Sequence, residues 1–137
     1  MSRFKFAALL SVALSAAACH DNVSPPLPTT PSPPSVTDTF SGTLTLNGAS
    51  TYAFSVSGLG FVYATLTSIT DSSAIVGLSL GTWNGAACAT VIANDQATQG
   101  TVVTGTVAGL GTLCARVYDT SGKVVSPLDY QITVTHP

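Results

Sequence analysis

From Val36 to Pro137 apolar residues recur at every second position in short runs. A period of two marks strands with one face in a core and one in water, and it excludes amphipathic helices, whose period is 3.6. Tyr52, Phe54 and Val56 alternate with Ala53 and Ser55; Val62, Ala64 and Leu66 alternate with Tyr63, Thr65 and Thr67. The same holds for Val76, Leu78 and Leu80, for Leu113, Ala115 and Val117, and for Tyr130, Ile132 and Val134. Turn signals separate the runs. Asn47-Gly48 and Asn84-Gly85 read as hairpin turns of type I′, which need positive φ at both central residues. Gly58-Leu59-Gly60, Asp71-Ser72-Ser73, Gly109-Leu110-Gly111 and Ser121-Gly122 punctuate the rest. About eight strands follow, near 39–46, 50–57, 61–69, 74–83, 86–93, 101–108, 111–119 and 128–136. Strands at roughly ten-residue spacing with tight turns predict an all-β fold, an antiparallel β-sandwich.

The residues before this region have a different character. Arg3 and Lys5 precede a nearly unbroken apolar stretch, Phe6–Ala18, and small residues lead to Cys19. A charged start, a short apolar segment and a small-residue cleavage site are the parts of a secretory signal. As a helix those thirteen residues would rise only ~20 Å, short of a ~30 Å hydrocarbon core. Ala16-Ala17-Ala18-Cys19 resembles a bacterial lipobox, in which the Cys is acylated and becomes the first residue after cleavage. Cysteine parity points the same way. Three Cys is an odd number for an exported chain, and lipid on Cys19 leaves Cys88 and Cys114 to pair in an oxidising compartment.

Between Cys19 and the strands, His20 to Ser35 holds most of the protein's Pro, which favours extended polyproline II over helix or sheet. Sixteen such residues reach ~50 Å, enough to stand a domain off a membrane. The organisation expected is a signal peptide at 1–18, a lipid-attachment Cys and linker at 19–36, and a sandwich at 37–137. His20 rather than Asp after the Cys favours the outer membrane or cell surface. The envelope membrane is thus one expected partner. Nucleic acid is not: loss of the N-terminus leaves Arg116 and Lys123 against six Asp, a side-chain charge of −4, with no basic stripe.

The runs Phe40-Ser41-Gly42-Thr43-Leu44, Tyr52-Ala53-Phe54-Ser55-Val56, Thr104-Gly105-Thr106-Val107, Cys114-Ala115-Arg116-Val117-Tyr118-Asp119 and Tyr130-Gln131-Ile132-Thr133-Val134 together resemble the bacterial pre-peptidase C-terminal domain. The resemblance spans about 100 residues, essentially the whole strand region. It implies a jelly-roll-like sandwich and a non-catalytic role, here without a peptidase beside it. The shared positions are strand aromatics and aliphatics, so they specify fold and carry no chemistry.

The residues themselves offer little catalysis. Gly77-Leu78-Ser79-Leu80-Gly81 matches the G-x-S-x-G pattern of a nucleophile elbow, but it lies inside an alternating run with no helix after it. The two His, His20 and His136, sit in the linker and beside the last residue. There is no Glu, and the Asp are scattered singly, so paired-carboxylate chemistry has no basis. No Cys-x-x-Cys or paired-His spacing suggests a metal, and no cofactor is implied. Asp71, Asp95 and Asp119 read either as turn formers or as calcium ligands with loop carbonyls. Trp83, before the Asn84 turn, reads as a stacking platform or as a rim of the core. Phe61, Tyr63 and Tyr118 fall on nominally outer faces, where they mark a contact surface or lie under a loop; Arg116 shares the Tyr118 face. The expectation is a non-enzymatic envelope lipoprotein whose sandwich binds an unknown protein or glycan or has a structural duty. The alternative is an accessory binding module acting in trans for a secreted hydrolase.

Overall fold

The computed structural model of the protein describes residues 24–27 and 34–137. The expected signal peptide, Cys19 and linker residues 19–23 and 28–33 lie outside the described residues. Ser24–Leu27 form no regular structure and are exposed.

Eight strands follow: β1 (Val36–Leu44), β2 (Ala49–Val56), β3 (Leu59–Ile69), β4 (Val76–Trp83), β5 (Cys88–Ala97), β6 (Val102–Ala108), β7 (Gly111–Tyr118) and β8 (Leu128–His136). Among the described residues there is no helix. Sheet A has the order β1-β8-β3-β6 and sheet B the order β2-β7-β4-β5, with every neighbouring pair antiparallel. The ladders are nested: β4 pairs β5, and around that hairpin β3 pairs β6, β2 pairs β7, and β1 pairs β8. A long hairpin wrapped into two sheets in this way is the eight-strand jelly roll.

The inward residues are those the alternation selects. Phe54, Val56, Val62, Ala64, Leu66, Leu78, Leu80, Ala115, Val117, Tyr130, Ile132 and Val134 form one buried cluster. Each large aliphatic in it contributes roughly 1.5–3 kcal/mol of transfer free energy, which is the main force holding the two sheets face to face.

Two local expectations are corrected. Asn47-Gly48 does not join a hairpin, because β1 and β2 lie in different sheets. Its turn runs from Thr45 to Gly48, closed by Gly48 N–H donating to the Thr45 carbonyl at 2.8 Å, and only Asn47 has positive φ (54°). Gly48 is needed for close approach instead, since a Cβ there would stand 2.8 Å from the Thr45 carbonyl oxygen. Asn84-Gly85 does join a hairpin, but the positive φ is at Gly85 alone (96°). The Asn84 side chain caps the turn, its Oδ1 accepting from Ala86 N–H at 2.9 Å and Ala87 N–H at 2.8 Å.

The second correction concerns β4, which has no water face. Gly77, Ser79 and Gly81 are buried along with Val76, Leu78 and Leu80. The Tyr118 ring lies over Gly77, where a Cβ would sit 2.3 Å from it. The start of β5 lies over Gly81, with the Ala89 carbonyl oxygen 2.2 Å from a would-be Cβ. Small residues at alternate positions therefore let neighbouring chain cross the outer face of β4.

Candidate functional site

Cys88 and Cys114 form a disulfide with a Cα–Cα distance of 5.9 Å. Their strands, β5 and β7, are not neighbours, for β4 runs between them. Two strands apart would ordinarily mean ~9–10 Å between backbones, beyond a disulfide's reach. The gap closes because a bulge in β5, where pairing slips between Leu80 and Gly81, bends the strand across the glycine. Gly81 is what lets the bridge pass over β4.

Beside this bridge the outer face of sheet B is a structural lid. Arg116 stands across β7–β4 from Ser79, and its guanidinium lies 5.6 Å from the centre of the Tyr118 ring. The Tyr118 hydroxyl donates to Asp95. Burial, then the hydrogen bond and charge of Asp95, push that phenol up to about 12, with Arg116 pulling the other way. Ser79 is fully buried mid-strand, and its hydroxyl finds no partner. The strand-to-helix elbow that would raise a nucleophilic Ser is absent at this position. Trp83 is half-buried at the end of β4, opposite Cys88.

The three Asp weighed as cation ligands are engaged by donors. Asp119 accepts from the backbone N–H of Asn47 at 3.0 Å, Ser121 at 3.4 Å, Lys123 at 3.1 Å and Val124 at 3.3 Å. Desolvation raises its carboxyl, but those four N–H groups outweigh it and hold the group below its ordinary value. Asp71 accepts from both the hydroxyl and the N–H of Ser73, which lowers it as well. Both are turn organisers.

The opposite side of the molecule is the exposed one. On the outer face of sheet A, Phe61 and Tyr63 are 59 % and 41 % exposed, so no loop covers them. Their rings stack, with centroids 6.2 Å apart and planes 27° off parallel. Around them strand register aligns hydroxyls in rows. Thr37, Thr135, Tyr63 and Thr104 lie side by side across the four strands, and Thr39, Thr133 and Thr65 form the next row. Ser41, Gln131 and Ser68 make a third. The Thr37 and Thr135 hydroxyls are 2.9 Å apart. The rows end in a shallow hollow of about 610 Å³ around Asp129, whose carboxylate accepts from the Thr43 hydroxyl at 2.6 Å. Among the described residues, Asp129 is the only charged side chain on this face.

The aromatic residues singled out in the sequence are thus divided. Tyr63 belongs to the outer face of sheet A, while Trp83 and Tyr118 belong to the outer face of sheet B. Sequence reading missed the Thr rows, although Thr pairs two apart (Thr37 and Thr39, Thr65 and Thr67, Thr104 and Thr106, Thr133 and Thr135) are a visible signal. It also missed His136, which is buried with its Nε2 3.1 Å from Asp38 Oδ2 and its ring packed on Phe54. No family model matches this chain, and no curated protein is significantly similar to it.

Proposed function

We propose that this chain is a non-catalytic lipoprotein of the bacterial envelope, anchored through Cys19, whose sandwich binds a neutral glycan on the outer face of sheet A. The observation that carries the reading is the stacked, solvent-facing Phe61–Tyr63 pair within rows of Thr and Ser hydroxyls. Aromatic rings on a rigid sheet gain nothing from water, and they suit the C–H faces of sugar rings. Hydroxyl rows and a single carboxylate offer donors and acceptors to sugar hydroxyls, while the lack of cations disfavours anionic partners. The resemblance to the non-catalytic pre-peptidase C-terminal domain supports the same view, and so does a spacer long enough to lift the sandwich off the membrane. A face of this kind also serves an accessory module that concentrates a secreted hydrolase's substrate.

Retention on insoluble neutral polysaccharides and on a glycan array tests the binding. Wild-type protein is retained, and the Phe61→Ala/Tyr63→Ala double variant loses at least tenfold in affinity with an unchanged circular dichroism spectrum. Equal retention of both proteins, or retention of neither, refutes the glycan reading. Labelling with a fatty-acid analogue, lost in Cys19→Ser, tests the anchor separately.

A further inference from the structure

The two sheets do not close along their β5–β6 side. Between them lies a cleft of about 390 Å³, walled by Val62 and Val107 from sheet A and by Leu80 and Leu113 from sheet B. Sandwich interiors are normally filled to crystal-like density, so an open apolar space of this size is a feature to explain. Two local devices create it. Gly105 faces inward from β6, and a Cβ there would meet only the Leu80 Cδ1 at 3.5 Å. Its missing side chain is space that the cleft takes. The β5 bulge then allows consecutive residues, Val91 and Ile92, to line the mouth together, where strict alternation would send one away. They remain 74 % and 42 % exposed.

We infer that this cleft binds the hydrocarbon tail of a neutral single-chain amphiphile. The lining holds no charged side chain, and Thr82 is its one hydroxyl on an inward-facing position, since Thr104 and Thr106 flank inward Gly105 and turn their side chains to the outer face of sheet A. Nothing inside would compensate a sugar or a charged group for lost water, which leaves an aliphatic occupant. The volume lies in the range of small-ligand sites. The two cations of the folded region are elsewhere: Arg116 stacks on Tyr118 outside sheet B, and Lys123 lies in the loop after β7. A carboxylate head therefore has no partner at the mouth. A glycerol or alcohol head does, through the Thr82 hydroxyl.

The test is titration of the mature protein with monodecanoylglycerol, read by methyl chemical shifts, with decanoate in parallel. Saturable shifts of the Val62, Leu80, Val107 and Leu113 methyls are expected, with decanoate at least tenfold weaker. Gly105→Leu fills the cleft from a backbone position that tolerates a side chain, and it is expected to lower affinity at least tenfold at an unchanged or higher Tm. Where that variant fails to fold, Val107→Phe tests the same point from the neighbouring inward position. Absence of methyl shifts in the wild type, equal affinity in a folded filled variant, or shifts confined to residues outside the cleft each overturn the assignment. Decanoate binding as tightly as the glyceride overturns the choice of a neutral head.

Discussion

The sandwich has two long sides, and they are built on opposite principles. On the β1–β2 side the sheets are bolted together by aromatics. Phe40 of sheet A stacks on Tyr52 of sheet B at 4.8 Å, nearly parallel. The Tyr52 hydroxyl donates to the Ser41 carbonyl at 3.0 Å and lies 2.8 Å from the Tyr130 hydroxyl. On the β5–β6 side no ring reaches across, and aliphatic side chains leave the cleft between them. Each side has one inward glycine. At Gly42 a Cβ would stand 2.5 Å from the Tyr52 hydroxyl and 2.7 Å from that of Tyr130, so neighbours have claimed the space. At Gly105 the space stays empty. The same residue thus closes one side by admitting two phenols and opens the other by admitting nothing. Length is the physical difference. A Tyr spans the gap between sheets ~10 Å apart and ends in a group that can bond, whereas Val and Leu stop short.

The open side keeps its outer strand by a covalent tie, so removing that tie is the largest way to break the contrast. A Cys88→Ala/Cys114→Ala double variant is expected to lose roughly 3.5 kcal/mol for a bridge of this span, in the chain-entropy account. Denaturant unfolding measures it, and hydrogen exchange should rise first at β5 amides. Uniform loss across both sides would show that the bridge stabilises the whole domain rather than its open side.

Next comes the matched pair of glycine substitutions. Gly42→Ala forces the two phenols apart and is expected to cost about 2 kcal/mol, within the usual range for overpacking. Gly105→Ala meets ordinary contact at a backbone position without positive φ, and it is expected to be neutral or to gain about 0.5 kcal/mol. Equal losses at both positions, compared by thermal unfolding, would erase the distinction between a closed and an open side.

A smaller effect is expected from Tyr52→Phe. It keeps the ring on Phe40 and removes only the hydroxyl, leaving the buried Tyr130 hydroxyl without that partner, at about 1–1.5 kcal/mol. Burial holds the Tyr130 phenol above its ordinary value, so no compensating ionisation occurs near neutral pH. A loss under 0.5 kcal/mol in urea unfolding would mean that stacking alone bolts this side.

The smallest effect is acid sensitivity at the end of the closed side, where Asp119 ties the Asn47 turn to the loop after β7. Folding favours its ionised form. Its contribution is therefore complete above the ordinary carboxylate range and fades as pH falls through the lowered folded value. Asp119→Asn should flatten the stability curve below about pH 4. An unchanged acid limb would assign that sensitivity to the other Asp.

Much of this was readable along the chain because the governing forces are local. Period-two burial places Phe54, Val62, Leu66, Ile132 and Val134 in the core whichever strands they pair with. Turn chemistry sets the breaks between strands to within a few residues, even where, as at Asn47-Gly48, it misreads what the turn connects. The expectation of lipid on Cys19 left Cys88 and Cys114 to pair, and the structure bridges these two.

Strand order was not readable, because it depends on contacts between residues far apart in sequence. Ladders joining Val36 to His136 or Ala49 to Tyr118 have no local trace. From that order came everything that differs from strand to strand. It buried both faces of β4 under Tyr118 and the start of β5, and it set Tyr63 on the opposite side from Trp83 and Tyr118. It lined up the Thr pairs of four separate strands in rows, and it brought His136 to Asp38 across 98 residues. A single sequence dictates which side of each strand avoids water, because each side chain carries that preference by itself. Which strands become neighbours is decided only when two whole faces close on one another, since no short segment contains the energy that chooses between partners.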